Sequence, residues 1–239
     1  MKKAFTLAEV LITLGVIGII AAMTLPSLIN YYKVKELEVR FKKADAIITQ
    51  ALLKTANEAG YDSISSFNIP GGTVTNENFA ELEKQVEVLN EIWLKQFSGI
   101  TPLSYTNSKS CKSLSGGGVM FSNCWFDMTG RQPYQLPSGM VISKLGTQNG
   151  GTNHPGQITF FFDTNGIQNG PNRWGYDLFI FTSEEGYIKN GGCTVIAPAT
   201  FSNWYCYYYA HKNINPAGKN KSYWDMLFKP LSYWQGRKF

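Results

Sequence analysis

FTLAEVLITLGVIGIIAAMTLPSLI, Phe5–Ile29, decides how the chain is read. Its only ionisable side chain is Glu9. At about 1.5 Å per residue the stretch reaches across a hydrocarbon core of about 30 Å. An ordinary secretory signal has an apolar run of only about 7–15 residues, followed by small residues at a cleavage site. Ala21-Ala22-Met23 matches such a site weakly, and Pro26 follows closely. A plain membrane anchor explains the length but leaves Glu9 unexplained. A carboxylate inside an apolar membrane helix is costly, and such groups are functional by default.

Downstream, SLINYYKVKELEVRFKKADAIITQALLKTANEAG (residues 27–60) changes character. Val34, Leu37, Phe41, Ala44, Ile48, Ala51 and Thr55 recur at three- and four-residue spacing, the apolar stripe of a helix. Leu52 widens the stripe, charged residues fill the other faces, and Gly60 is a natural stop. The pattern predicts one helix from about Phe5 to about Ala59, with a gentle kink or local melting at Pro26.

Upstream, Met1–Ala4 is a short head containing Lys2 and Lys3. Together these residues resemble the N-terminus of type IV pilins, type II secretion pseudopilins and competence pilins. Lys2 and Lys3 match the basic leader, Phe5 the first mature residue, and Thr6-Leu7 the usual Thr-Leu. Glu9 matches the glutamate of the fifth mature position, and Pro26 falls where the family commonly has a proline. The family usually has glycine before the cut; this chain has Ala4, the next smallest residue.

The resemblance implies cleavage between Ala4 and Phe5 by a membrane prepilin peptidase, then N-methylation of Phe5. It also implies a role for Glu9 in assembly. In a filament the carboxylate of one subunit pairs with the terminal amine of a neighbour, so that two buried charges satisfy each other. The expected partners are other pilin subunits, the peptidase and the inner membrane. The expected location is a single-pass bacterial inner-membrane position with an extracytoplasmic head, and then a pilus or pseudopilus. Loop charge taken alone points the other way. Lys33, Lys35, Arg40, Lys42 and Lys43 follow the span and outnumber Lys2 and Lys3 before it.

The expected organisation is a leader at 1–4, a membrane and filament-core helix at 5–29, its amphipathic continuation at 30–60, and an α+β head at 61–239. In the head, Pro70-Gly71-Gly72 marks a loop, and Thr75 or Asn76 can cap a second helix over about Glu77–Phe97. That helix has the stripe Phe79, Leu82, Val86, Leu89, Trp93, Phe97. From Leu103 onward the pattern is short strands and turns, including Gly139–Ser143, Gln157–Phe162 and Asp177–Thr182. Helices first and strands after give an α+β fold with an antiparallel sheet, the order of the pilin fold.

Cys111, Cys124, Cys193 and Cys206 show no zinc-type spacing. Four cysteines allow three disulfide connectivities. The short-range one, Cys111 with Cys124 and Cys193 with Cys206, closes two hairpin-like loops, and an exported head favours disulfides over free thiols.

The segment FFFDTNGIQNGPNRWGYDLFIF, Phe160–Phe181, resembles a segment of many pilin-like heads. Asp163, Asn165 and Asp177 there have two readings: oxygens for calcium, as in some pseudopilins, or side chains bonded to their own turns. The turn reading is preferred, and neither metal nor cofactor is expected. The C-terminal third is rich in Tyr and Trp, including Trp204, Tyr207, Tyr223, Trp224 and Trp234. Exposed, these residues suit an adhesin or a membrane-anchored binding module; buried, they pack the head. No GxSxG, HExxH or Walker pattern occurs, so an enzyme is not expected.

Overall fold

The computed structural model describes residues 6–62, 79–103, 111–112, 119–121, 131–147, 158–166, 168–182, 206–216 and 222–228. Among these the architecture is α+β: a long helix, α1 (Leu7–Glu58), lies across an antiparallel sheet. Thr6 in extended conformation starts α1, and Gly60 at φ +80° ends it, a backbone setting that favours glycine. The helix runs through Pro26 without interruption, so local melting does not occur there. Pro26 removes one N–H from the ladder. Around it, Thr24 Oγ1 donates to Ile20 O at 2.9 Å and Ser27 Oγ to Thr24 O at 2.8 Å.

The second half of α1 is a wall of the core. Leu37, Phe41, Ala44, Ile48, Ala51, Leu52 and Thr55 are all buried, as their spacing predicts. Phe41 is the hub. Its ring lies 4.7 Å from Phe179, 5.3 Å from Trp224 and 5.9 Å from Tyr207. Truncating such a side chain to alanine costs about 3–5 kcal/mol.

The strands are β1 (Thr101–Pro102), β2 (Cys111–Lys112), β3 (Val119–Phe121), β4 (Pro133–Gln135), β5 (Val141–Ser143), β6 (Gly146–Thr147), β7 (Ile158–Asp163) and β8 (Leu178–Thr182). β2 and β3 pair separately. The main sheet runs β1-β4-β5-β7-β6, with β8 also on β7. β8 pairs with β7 from Thr159 to Asp163, while β5 meets its Phe162–Asp163 end and β6 its Ile158–Thr159 end. β5 and β6 therefore follow one another along one edge of β7, as a strand broken at Lys144-Leu145.

β7 is buried on both faces. Phe160 and Phe162 face the helices, with Trp93 of α2 (Phe79–Lys95) 5.0 Å from Phe160. Phe161 points the other way, against Trp174 at 6.0 Å and the Arg131 guanidinium at 5.9 Å. α2 buries Val86, Leu89 and Trp93, with Phe97 just beyond its end, as predicted; its proposed caps Thr75 and Asn76 lie outside the described residues. A short helix, α3 (Cys206–Lys212), and a 3-10 turn at Trp224–Met226 close the core against α1 and β8.

Candidate functional site

The first half of α1 packs against none of the described residues outside the helix. Its most apolar window has mean hydropathy 2.2 and is 0% buried. Leu7, Leu11, Ile12, Leu14, Ile17 and Ile19 are each at least 60% exposed, on every side of the helix. A helix apolar all round needs an apolar surrounding. Its length and composition suffice to cross a membrane. Tyr31 and Tyr32 follow the apolar run, both exposed, and Lys33 and Lys35 follow them. Tyrosines with lysines are the residue types of a membrane–water boundary.

Glu9 stands at the third position of this helix. Its Oε2 accepts from the Thr6 backbone N–H at 2.8 Å and from Thr6 Oγ1 at 2.9 Å. The Glu9 N–H in turn donates to Thr6 Oγ1 at 3.3 Å. This is a reciprocal capping box, which meets donors that a helix start leaves open. Sequence reasoning took Glu9 for assembly alone and missed the cap, although Thr-x-x-Glu is the pattern that announces one. Ala4 and Phe5 lie outside the described residues.

Past the boundary, charges pair on the helix itself. Glu38, nearly buried, accepts from Lys35 Nζ at 2.9 Å and from Lys42 Nζ at 2.7 Å. Burial pushes its carboxyl up, but the bonds from Lys42 and Lys35 outweigh that and hold it below the usual range. Arg40 pairs with Glu36 at 2.6 Å. Further along, Asp45 accepts from the Tyr207 hydroxyl at 2.6 Å and lies 2.9 Å from His211 Nδ1, which ties α3 to α1.

The carboxylates considered for calcium are engaged by backbone. Asp163 Oδ1 accepts from Asn165 N at 3.0 Å and Gly166 N at 2.8 Å. Asp177 accepts from Asn172 N at 2.8 Å and Arg173 N at 2.7 Å. Both behave as turn-forming acids. Burial raises Asp163 well above the carboxylate range, and repulsion from Asp177 adds to this. Burial likewise pushes Asp177 up to about 6. Among the described residues no group of three or more His, Cys, Asp or Glu is placed to hold a metal.

Cys206, the first residue of α3, is buried and disulfide-bonded. Cys111 lies on β2, opposite Phe121 of β3. Cys124 and Cys193 lie outside the described residues. Of the aromatic C-terminal third, Tyr207, Tyr223 and Trp224 are buried, while Trp204 and Trp234 lie outside the described residues.

No protein-family model, curated protein or solved structure matches the chain.

Proposed function

We propose that this chain is a structural subunit, a pilin or pseudopilin, of a type IV pilus or type II secretion-like filament. In this reading a prepilin peptidase cuts between Ala4 and Phe5 and Phe5 is N-methylated. The subunit waits in the inner membrane with its head outside, and then polymerises through the first half of α1. One observation carries the reading. A single unbroken helix has a first half exposed and apolar on all sides, and a second half that forms the core of an α+β head. Such a helix suits two successive apolar surroundings, lipid before assembly and neighbouring helices after it.

Glu9 supports the same reading from its position. Its carboxylate is engaged by Thr6 at the very start of the helix, next to the amine that cleavage would create on Phe5. Disulfides fit an extracytoplasmic head, and Cys206 is disulfide-bonded. The alternative, an anchored adhesin using exposed aromatics, is disfavoured by the burial of Tyr207, Tyr223 and Trp224.

The test is intact mass and N-terminal sequencing of the protein from its native host without reducing agent. The expected product begins at N-methyl-Phe5 and is lighter by the hydrogens lost to disulfides. A chain still beginning at Met1 with free thiols overturns the proposal.

A further inference from the structure

A groove of about 280 Å³ lies where α1 passes the turn at Gly139 and the loop at Thr164–Asn169. Arg40 and Lys43 supply its cationic wall. Arg40 shares its charge with Glu36 on the same helix, whereas Lys43 is exposed and has no ion pair among the described residues. Asp163, behind the loop, is buried and turned to backbone N–H groups. Thr164 and Asn165 beneath the groove are more than nine-tenths buried, and Thr164 Oγ1 and Asn165 Oδ1, both sealed from solvent, have no hydrogen-bond partner among the described residues. Buried polar atoms left unpaired are uncommon and call for an explanation. The volume falls just short of the about 300–1,000 Å³ typical of small-molecule pockets, and suits a few side chains of a macromolecular partner.

Helix α2 carries the complementary chemistry. Glu83, Glu87 and Glu91 recur at four-residue spacing and are all exposed. Glu87 bonds Lys144 at 2.6 Å; Glu83 and Glu91 have no ion pair among the described residues. Val88 is 62% exposed, an apolar contact beside the acidic row. Lys95 lies one turn beyond Glu91, so a docked α2 brings a carboxylate to the cations with an ammonium one turn away.

No described residue of α2 lines the groove within its own molecule. There α2 is seated on the sheet instead, through Glu87 to Lys144 and Asn90 to Leu145. We therefore propose that the Arg40–Lys43 groove is a socket for the acidic face of helix α2 from a second copy of this chain. The two patches differ, so the contact is heterologous, and a heterologous contact that does not close generates a helical polymer. The proposal takes its setting from the filament reading above and adds a contact between heads.

The test uses two differently tagged full-length copies, co-expressed, extracted in mild detergent at low ionic strength and purified through one tag. Both copies carry the same substitution. Lys43→Glu is expected to lower recovery of the second tag about tenfold, Glu91→Lys to do the same, and the combination in one chain to restore it. Single substitutions without effect, or a combination no better than either, overturn the socket. So does a rise in thermal midpoint with inorganic phosphate that Lys43→Glu abolishes while co-purification stays constant, because the groove is then a small-anion site. N-terminal sequencing of the same material separates the two readings. A chain beginning at Phe5 with unchanged recovery sinks the socket alone, and a chain beginning at Met1 sinks the filament reading whatever the tags show.

Discussion

Asn90 of α2 satisfies both backbone groups of Leu145: its Nδ2 donates to Leu145 O at 3.0 Å, and Leu145 N donates to its Oδ1 at 2.7 Å. Leu145 lies in the break between β5 and β6, where the strand leaves the ladder of β7. A side-chain amide has one donor and one acceptor end, so it replaces the missing backbone partner on both counts. Trp93 Nε1 adds a bond to Ser143 O at 3.3 Å. α2 is thus seated by polar contacts as well as by its apolar stripe.

Asn90→Ala leaves a buried N–H and a buried C=O unpaired, at an expected cost of about 2–4 kcal/mol. Asn90→Asp keeps the acceptor but loses the donor, and falls between. Chemical denaturation of the full chain in detergent, followed by tryptophan fluorescence, reads both. An alanine variant within about 0.5 kcal/mol of the parent would show that water replaces the amide.

Acidity has opposite effects at two places in the head. Asp163 and Asp177 are raised by burial, Asp177 to about 6, so the folded state binds protons more readily than the unfolded state. Their contribution is fully present below the unfolded value near 3.8 and is lost as pH rises through about 6. Glu38 is held low, so its contribution is present above 4.5 and lost as pH falls through its folded value. The thermal midpoint should therefore decline from about pH 5 to pH 7. A midpoint that rises steadily over that range contradicts the burial of the aspartate pair.

Gly146→Ala tests the other face of β7. A Cβ there runs into the Arg131 guanidinium, which donates to Thr159 O at 2.7 Å. Arg131 is half-buried, and desolvation brings its guanidinium down to about 10. The expected loss is about 2–3 kcal/mol. Once Arg131 is already alanine, the same glycine change should cost far less, because the two residues are in contact. Additive losses in a double-mutant cycle would mean that Gly146 is needed for its backbone alone.

At Glu9, glutamine and alanine separate two roles. Glutamine at the third helical position still closes a capping box but carries no charge; alanine does neither. If the charge serves assembly, both variants lose filaments, read by shearing cells and immunoblotting the released fraction. Normal filaments from Glu9→Gln would reduce Glu9 to a cap.

The long elements were legible because their periods are long. The apolar run, the stripe from Val34 to Thr55 and the stop at Gly60 place α1 within two residues of its observed ends. The β7 and β8 segments announced themselves through aromatic runs flanking turn residues. β1, β4 and β6 have two or three residues each, too few to show any alternation. Contacts that join distant parts of the chain were equally silent. Nothing local marks Asp45 as the acceptor for Tyr207, or Gly146 as the seat of Arg131. The Arg40–Lys43 groove was hidden too: in sequence those cations register only as loop charge after a membrane span.

The unbroken length of α1 has a mechanical consequence. At about 1.5 Å per residue, 52 helical residues make a strut of about 78 Å. Its lower part is free of the described part of the head and its upper part is embedded in it. With no flexible joint between them, a displacement of the lower end along the axis is delivered to the head without slack. Pro26 is the point of least stiffness, and it lies below the head, so bending there leaves the packing around Phe41 undisturbed. A machine that pushes on the foot of this molecule moves the whole of it.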